Sequence, residues 1–407
     1  MIANVNDLHE LLWRRYIRSP YWHLLDAAEE NGEAHIPTAA EINANLPNVM
    51  SYATSIADCA FFGGLYLFGL CEKYDTCKTD ALKEEIHRLA NGLFLLCDIA
   101  KTDGFIARGV AADDGVTHYP CSSTDQVGPF VLGLWRLLRS PAADKALCDE
   151  ITPRLKRTLR GLMATDWLVP TEWPNVTLGS FADADWRGVA KRLFLMAVAR
   201  ELGLLSKADF EKATAEKPPK SIYTRAEIVS HGFAPDMLKN NGLIQFWIDV
   251  CAHLATRELV TLDPTRAACY RQGLLANSAA VVPFLREYRT YNSQENKEFN
   301  HNWRLLLPHV LPFQNADEAY AEAKRQNRIW PDLYNPLRNI ERKTLSQAFF
   351  GAWIAITGGD EAAAQYAKEC LADAIATVPW EKVGHSYAFA VEAALACFDT
   401  RNHYLQP

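Results

Sequence analysis

Two kinds of helix alternate along this chain. The first carries a single apolar stripe. Over 79–101, Leu82, Ile86, Leu89, Leu93, Leu96 and Ala100 recur at steps of three and four, which places them on one helical face above a charged opposite face. The stretch 142–165 repeats the pattern with Leu147, Ile151, Leu155, Leu159 and Leu162, and 361–378 with Ala363, Ala367, Cys370, Ala374 and Val378. The second kind is apolar all round. Over 51–74 the run from Cys59 to Leu70 has no polar face, and 127–138, 343–356 and 384–398 have the same character. A helix without a polar face is buried on every side. Gly63, Gly64, Gly69, Gly128 and Gly133 allow such helices to approach closely. Alternation of buried and amphipathic helices is what a ring of inner helices inside a ring of outer helices requires.

Connection lengths extend this reading. Links that leave the buried helices are short, near 75–78, 140–141, 203–205 and 358–360. Links that enter them are long, near 31–50, 102–123, 167–183, 217–234, 289–302 and 328–340. In up-and-down hairpins all the long links fall on one face, together with the N-termini of the inner helices. Long ordered loops carry function more often than short ones, and helix N-termini direct N–H groups and positive dipole ends at a ligand. The site is expected on that face. Strand signals are scarce, since Val281-Val282 and Leu305-Leu306-Leu307 are too short to outvote the helical pattern. The expectation is an all-α fold, one domain over 1–407, with six or seven helical hairpins. The region 289–340, broken by Pro308, Pro312, Pro331 and Pro336, is the least regular.

Composition narrows the class. With 49% apolar and 22% charged residues, the chain is globular rather than disordered. A net charge of −7 argues against nucleic-acid and anionic-membrane surfaces. The ten cysteines sit largely in helical apolar runs and show no CxxC pair or zinc spacing, which points to reduced thiols and to no metal site. The N-terminus lacks a basic segment followed by an apolar core, so a cytoplasmic protein is expected. No phosphate-binding glycine loop, HExxH or GxSxG is present, and no cofactor is expected.

Candidate chemistry concentrates in two loops. The segment 103–126 holds Asp113, Asp114, His118, Tyr119 and Asp125. Glycosyl transfer to water needs two carboxyl groups, and burial raises the pKa of the one that acts as acid. Asp125, at the start of a buried helix, fits a cavity floor, and Asp113 or Asp114 fits a loop partner. Each also has a plain structural reading. Ser123-Thr124-Asp125-Gln126 has the form of a capping box, and Asp113-Asp114-Gly115 that of a turn. The segment 167–187 holds Glu172, Trp173, Trp186 and Arg187. Its aromatic rings offer flat faces for sugars, while Asp183 could equally cap the next helix and the tryptophans pack the loop down. Asp58, inside an apolar helix, is either an arginine's partner or a cavity-lining acid. Trp303 with Asn300, His301 and Asn302, then Trp330, Asp332, Tyr334, Asn335 and Arg338, and finally His385, complete the candidates for substrate contact.

The helical alternation, the one-sided long loops and the acid- and aromatic-rich loop resemble the six-hairpin glycosidase superfamily, the (α/α)6-type toroids. Gly104-Phe105-Ile106-Ala107-Arg108-Gly109, followed by Ser122-Ser123-Thr124-Asp125-Gln126, is similar in style to the loop that carries a catalytic aspartate in unsaturated glucuronyl hydrolases. The resemblance implies a carbohydrate-active enzyme, a glycoside hydrolase acting on an oligosaccharide, including one ending in a uronic acid, with Asp125 as general acid/base. Asp58, Asp113, Asp114 or Glu172 would be its partner. Alternatives are an epimerase or lyase on the same scaffold, using His118, His301 or His385, and a non-enzymatic helical interaction protein. The last predicts an exposed apolar patch in place of a deep polar cavity.

Overall fold

The computed structural model describes residues 2–234, 245–293, 301–306, 313–329 and 336–401, with the side chains of 306 and 336–338 excepted. Asn300, Trp330, Asp332, Tyr334, Asn335 and the Arg338 side chain lie outside the described residues. The fold is all-α, with 63% helix and 4% strand. Its helices are α1 (Val5–Arg15), α2 (Ala39–Asn43), α3 (Cys59–Thr76), α4 (Asp80–Asp98), α5 (Thr124–Leu138), α6 (Lys145–Ala164), α7 (Trp186–Glu201), α8 (Lys207–Ala215) and α9 (Arg225–His231). They continue with α10 (Phe246–Leu262), α11 (Ala267–Val281), α12 (Ala316–Ile329), α13 (Pro336–Glu341), α14 (Gln347–Thr357), α15 (Glu361–Thr377) and α16 (Ala388–Thr400). A π-helical turn, Arg342–Ser346, leads into α14. Two short antiparallel pairs decorate the loops, β1 (Ile17–Arg18) with β2 (His23–Leu24) and β3 (Leu168–Pro170) with β4 (Thr177–Ser180). Val281 closes a helix and Leu305 lies in a helical turn, so neither is strand.

The two kinds of helix separate in space as their sequences require. α3, α5, α7, α10, α14 and α16 are buried along nearly their whole surface. Each packs on the next, α3 on α5, α5 on α7, α7 on α10, α10 on α14, α14 on α16, and α16 returns to α3; α5 also reaches α10. By contrast α4 buries one stripe, led by Leu82, Ile86, Leu89 and Leu93, and packs on α3 and α6. α1 packs on α16, so the first helix partners the last. Close approach is built in at Gly64 and Gly133. A Cβ on Gly64 would lie 2.2 Å from the Pro129 carbonyl oxygen, and one on Gly133 2.3 Å from the Gly64 oxygen.

Near the C-terminal ends of these buried helices, charged groups pair with one another. Glu72 accepts from Arg136 Nε (2.9 Å) and Arg257 Nη2 (3.2 Å) and from the Thr400 hydroxyl. Burial opposes its ionisation, but the Arg257 and Arg136 charges outweigh it and hold the pKa down to about 2. All ten cysteines are free thiols. Among the described residues no helix is long and apolar enough to cross a membrane.

Candidate functional site

The start of an α-helix leaves four N–H groups unpaired. Helices on the outside solve this locally: Asn4, Thr79, Asp144, Ser206 and Asp360 cap α1, α4, α6, α8 and α15 with their own side chains. α3, α5 and α10 have no such cap. Glutamines from neighbouring helices substitute. Phe61 N–H of α3 donates to Gln126 Oε1 (3.2 Å), and Phe246 N–H of α10 donates to Gln347 Oε1 (3.1 Å). The Ser123–Gln126 capping box expected from the sequence is therefore not formed. Gln126 is diverted to α3, and the Ser123 hydroxyl accepts from Arg108 Nη2 (3.1 Å).

These three helix starts converge on a cavity of about 230 Å³. Asp58 precedes α3 rather than lying inside it as its sequence setting suggested, Asp125 occupies the first turn of α5, and Trp247 the first turn of α10. Tyr52 and Leu178 enter from the connecting segments, Arg342 from the π-helical turn, and Tyr320 and Asn327 from α12. π-helical turns recur at functional sites.

Asp58 Oδ1 accepts from Gln126 Nε2 (2.7 Å) and Arg108 Nη1 (3.2 Å). The two alternatives for this residue hold together, since it pairs with an arginine and also lines the cavity. Asp125 Oδ1 lies 3.2 Å from Lys191 Nζ, whose stem is buried in α7. Burial works to raise the Asp125 pKa, but Lys191 and then Arg187 outweigh it and hold the carboxyl below its ordinary range. This corrects the expectation of a raised pKa there. Asp125 is a carboxylate, suited to base or nucleophile rather than acid. Arg187 Nε donates to Asp249 Oδ1 (2.8 Å), and burial raises Asp249. The Arg342 guanidinium stacks on Trp247 at 5.2 Å, its Nε has no hydrogen-bond partner, and no described carboxylate pairs with it. Trp247 in turn packs edge-on against Phe61, at 5.4 Å.

The other candidates have structural settings away from this cavity. Asp113 accepts from Ala39 N–H (2.7 Å) at the start of α2. Asp114 accepts from Val116 and Thr117 N–H, both at 2.9 Å, closing a turn. Glu172 accepts from Lys101 N–H (2.8 Å) and stands 3.9 Å from His118, whose Nδ1 faces the Val116 carbonyl. The Tyr119 hydroxyl donates to the Leu46 carbonyl. Trp173 packs on Phe313 at 6.4 Å, in a small cluster with Met50 and Leu178 beneath α12. Trp186 packs on Phe233 at 5.4 Å, and Trp303 Nε1 donates to the His35 carbonyl (2.8 Å). His385 Nδ1 meets Glu341 Oε2 at 2.6 Å. None of these residues, nor His301, lines the cavity. The side chain that caps α7 is Asp185, not Asp183.

Sequence reasoning passed over Trp247, Arg342, Tyr52, Tyr320 and Lys191. Trp247 was findable, because it stands at the start of an apolar helix as Asp125 does. Among the described residues no group of three His, Cys, Asp or Glu side chains could hold a metal. No model of a known protein family, no curated protein and no solved structure matches this chain.

Proposed function

We propose that this protein is a carbohydrate-active enzyme, a glycoside hydrolase built on an (α/α)6 toroid, with its active site in the cavity at the inner-helix N-termini. The observation that carries the reading is the pairing in one cavity of two carboxyls, Asp58 and Asp125, with the aromatic faces of Tyr52, Trp247 and Tyr320. Closed packing of α3, α5, α7, α10, α14 and α16 supports the toroid. Glycosyl transfer to water uses one carboxylate and one carboxylic acid. Asp125, kept ionised by Lys191, takes the carboxylate role as base or nucleophile, and Asp58, held by Gln126 and Arg108, lines the same cavity. Arg342, which has no described counter-ion, favours a sugar that carries a carboxylate, a uronide. Aromatic faces stack on the apolar face of the ring.

Neither alternative gains comparable support. The histidines that an epimerase or lyase would use do not reach the cavity. The large exposed apolar residues among those described are five, Val116, Ile222, Tyr223, Leu275 and Leu305, few for the contiguous patch that a docking scaffold needs.

A thermal-shift screen against neutral and uronide-terminated oligosaccharides tests the reading. A ligand at about 100 times its Kd adds about 2.7 kcal/mol of stability. The expected outcome is a uronide response that disappears in Trp247→Ala and weakens in Arg342→Gln. Hydrolysis should fall about 10²–10⁴-fold in Asp125→Asn. Near-full turnover in a folded Asp125→Asn protein would overturn the assignment.

A further inference from the structure

A second cavity, of about 250 Å³, lies at the other end of two of the same helices. Its walls come from the last turns of α10 and the end of α14, with α11 and the residue after α16 closing it. Since α10 has 17 residues, its two ends stand about 25 Å apart, so this is not a branch of the cavity above. Val260, Leu274 and Ile356 form an apolar wall, three guanidinium groups line it beside two threonine hydroxyls and the turn after α14, and no acidic side chain lines it.

The three arginines differ in how their charge is met. Arg257 is paired to Glu72 at 3.2 Å, and Arg401 to Glu361 at 2.7 Å. Arg271, which lines the cavity, has no hydrogen-bonding or ionic partner among the described residues. A guanidinium without a described counter-ion next to an apolar wall complements a molecule with an anionic head and an apolar body. The volume is near the lower bound of small-molecule pockets, roughly 300 Å³, which limits the body to one ring or a short chain. A planar guanidinium matches a carboxylate through two parallel N–H···O bonds.

We propose that this cavity binds a small amphipathic carboxylate, its head on Arg271 and its apolar body against Val260, Leu274 and Ile356. The site is separate from the carbohydrate reading and stands or falls without it.

Calorimetric titration of the full chain with benzoate, using benzamide as the uncharged twin, tests this. Expected are saturable benzoate binding with a Kd on the order of 1 mM, much weaker benzamide binding, and a loss of about tenfold or more in Arg271→Gln. Leu274→Trp, which fills the cavity, should abolish binding, and Arg342→Gln should leave it unchanged. The proposal is overturned by absence of saturable binding, by equal affinity for benzamide, or by undiminished binding in a folded Arg271→Gln protein. Loss of binding in Arg342→Gln would place the anion at the other end of the molecule and overturn it as well.

Discussion

Lys191 Nζ sits 3.2 Å from Asp125 Oδ1, and this contact sets the protonation state of the candidate site. Lys191 is itself buried on α7, so its charge is poorly screened by water. Replacing it with methionine removes the largest influence that lowers the Asp125 pKa and leaves burial unopposed. In Lys191→Met the Asp125 carboxyl should titrate at higher pH than in the wild type, read by carbon-detected NMR of the aspartate carboxyls. The acid limb of any pH–rate profile should move upward with it. An unmoved Asp125 titration would show that Lys191 does not control it.

His9 joins α1 to the core through Glu392 (2.8 Å) and Glu85 (3.1 Å), while Lys73 reaches Glu392 at 2.7 Å. Burial opposes a charged His9, but the hydrogen bonds to Glu392 and Glu85 outweigh it and raise its pKa from 6.5 to about 9. For Glu392, burial is likewise outweighed, by His9 and then Lys73, and the pKa drops from 4.5 to about 2. A raised pKa contributes stability in full below pH 6.5 that fades as the pH rises through about 9. A lowered one contributes in full above pH 4.5 and fades as the pH falls through about 2. Melting temperature should therefore decline from pH 6.5 to 9 in the wild type and decline less in His9→Gln. Parallel curves for the two proteins would refute the linkage.

Gly64→Ala should destabilise the protein by about 1–3 kcal/mol through overpacking, because its Cβ would meet the Pro129 backbone, which cannot swing aside. Gly63→Ala is the matched control. Its Cβ would meet only Leu93 Cδ2, at 3.3 Å, and alanine's better helix propensity, worth about 1 kcal/mol, offsets that contact. Urea melts of the two variants should differ clearly; equal midpoints would mean that α3 and α5 are not held at this distance.

Glu72→Gln should cost about 3–5 kcal/mol, the usual effect of removing one partner of a buried ion pair, since Arg257 and Arg136 both lose the carboxylate they share, Arg136 keeping its contact to Asp75. Chemical denaturation measures this, and a loss below about 1 kcal/mol would show that the two arginines find solvent instead.

Much of this architecture is readable from the letters. The all-round apolar run from Cys59 to Leu70 reads as a helix buried on every side, and the stripe from Leu82 to Leu96 as a helix with one buried face, and both are so. Asp58 and Asp125 stood out because each interrupts or opens an apolar helix. The partners that define their chemistry did not stand out. Lys191, Arg342 and Tyr320 come from segments 66 to 217 positions away from Asp125, and no local spacing links them to it. Loop composition misled for the opposite reason. Asp113, Asp114 and Glu172 are acidic side chains that serve nearby backbone N–H groups, a local role that looks like a catalytic cluster when only composition is visible.

The glutamine bridges at the helix starts bear on how the protein reaches its native state. A helix that caps itself can form before it docks. α3 and α10 cannot, because Phe61 N–H waits for Gln126 and Phe246 N–H waits for Gln347, a residue 101 positions further along the chain. Their first turns become satisfied only as neighbouring helices arrive, so these buried helices gain their stability collectively rather than one by one. The end of the molecule that holds Asp58 and Asp125 is then among the last parts to be completed, and among the first to loosen when any one of those neighbours is weakened.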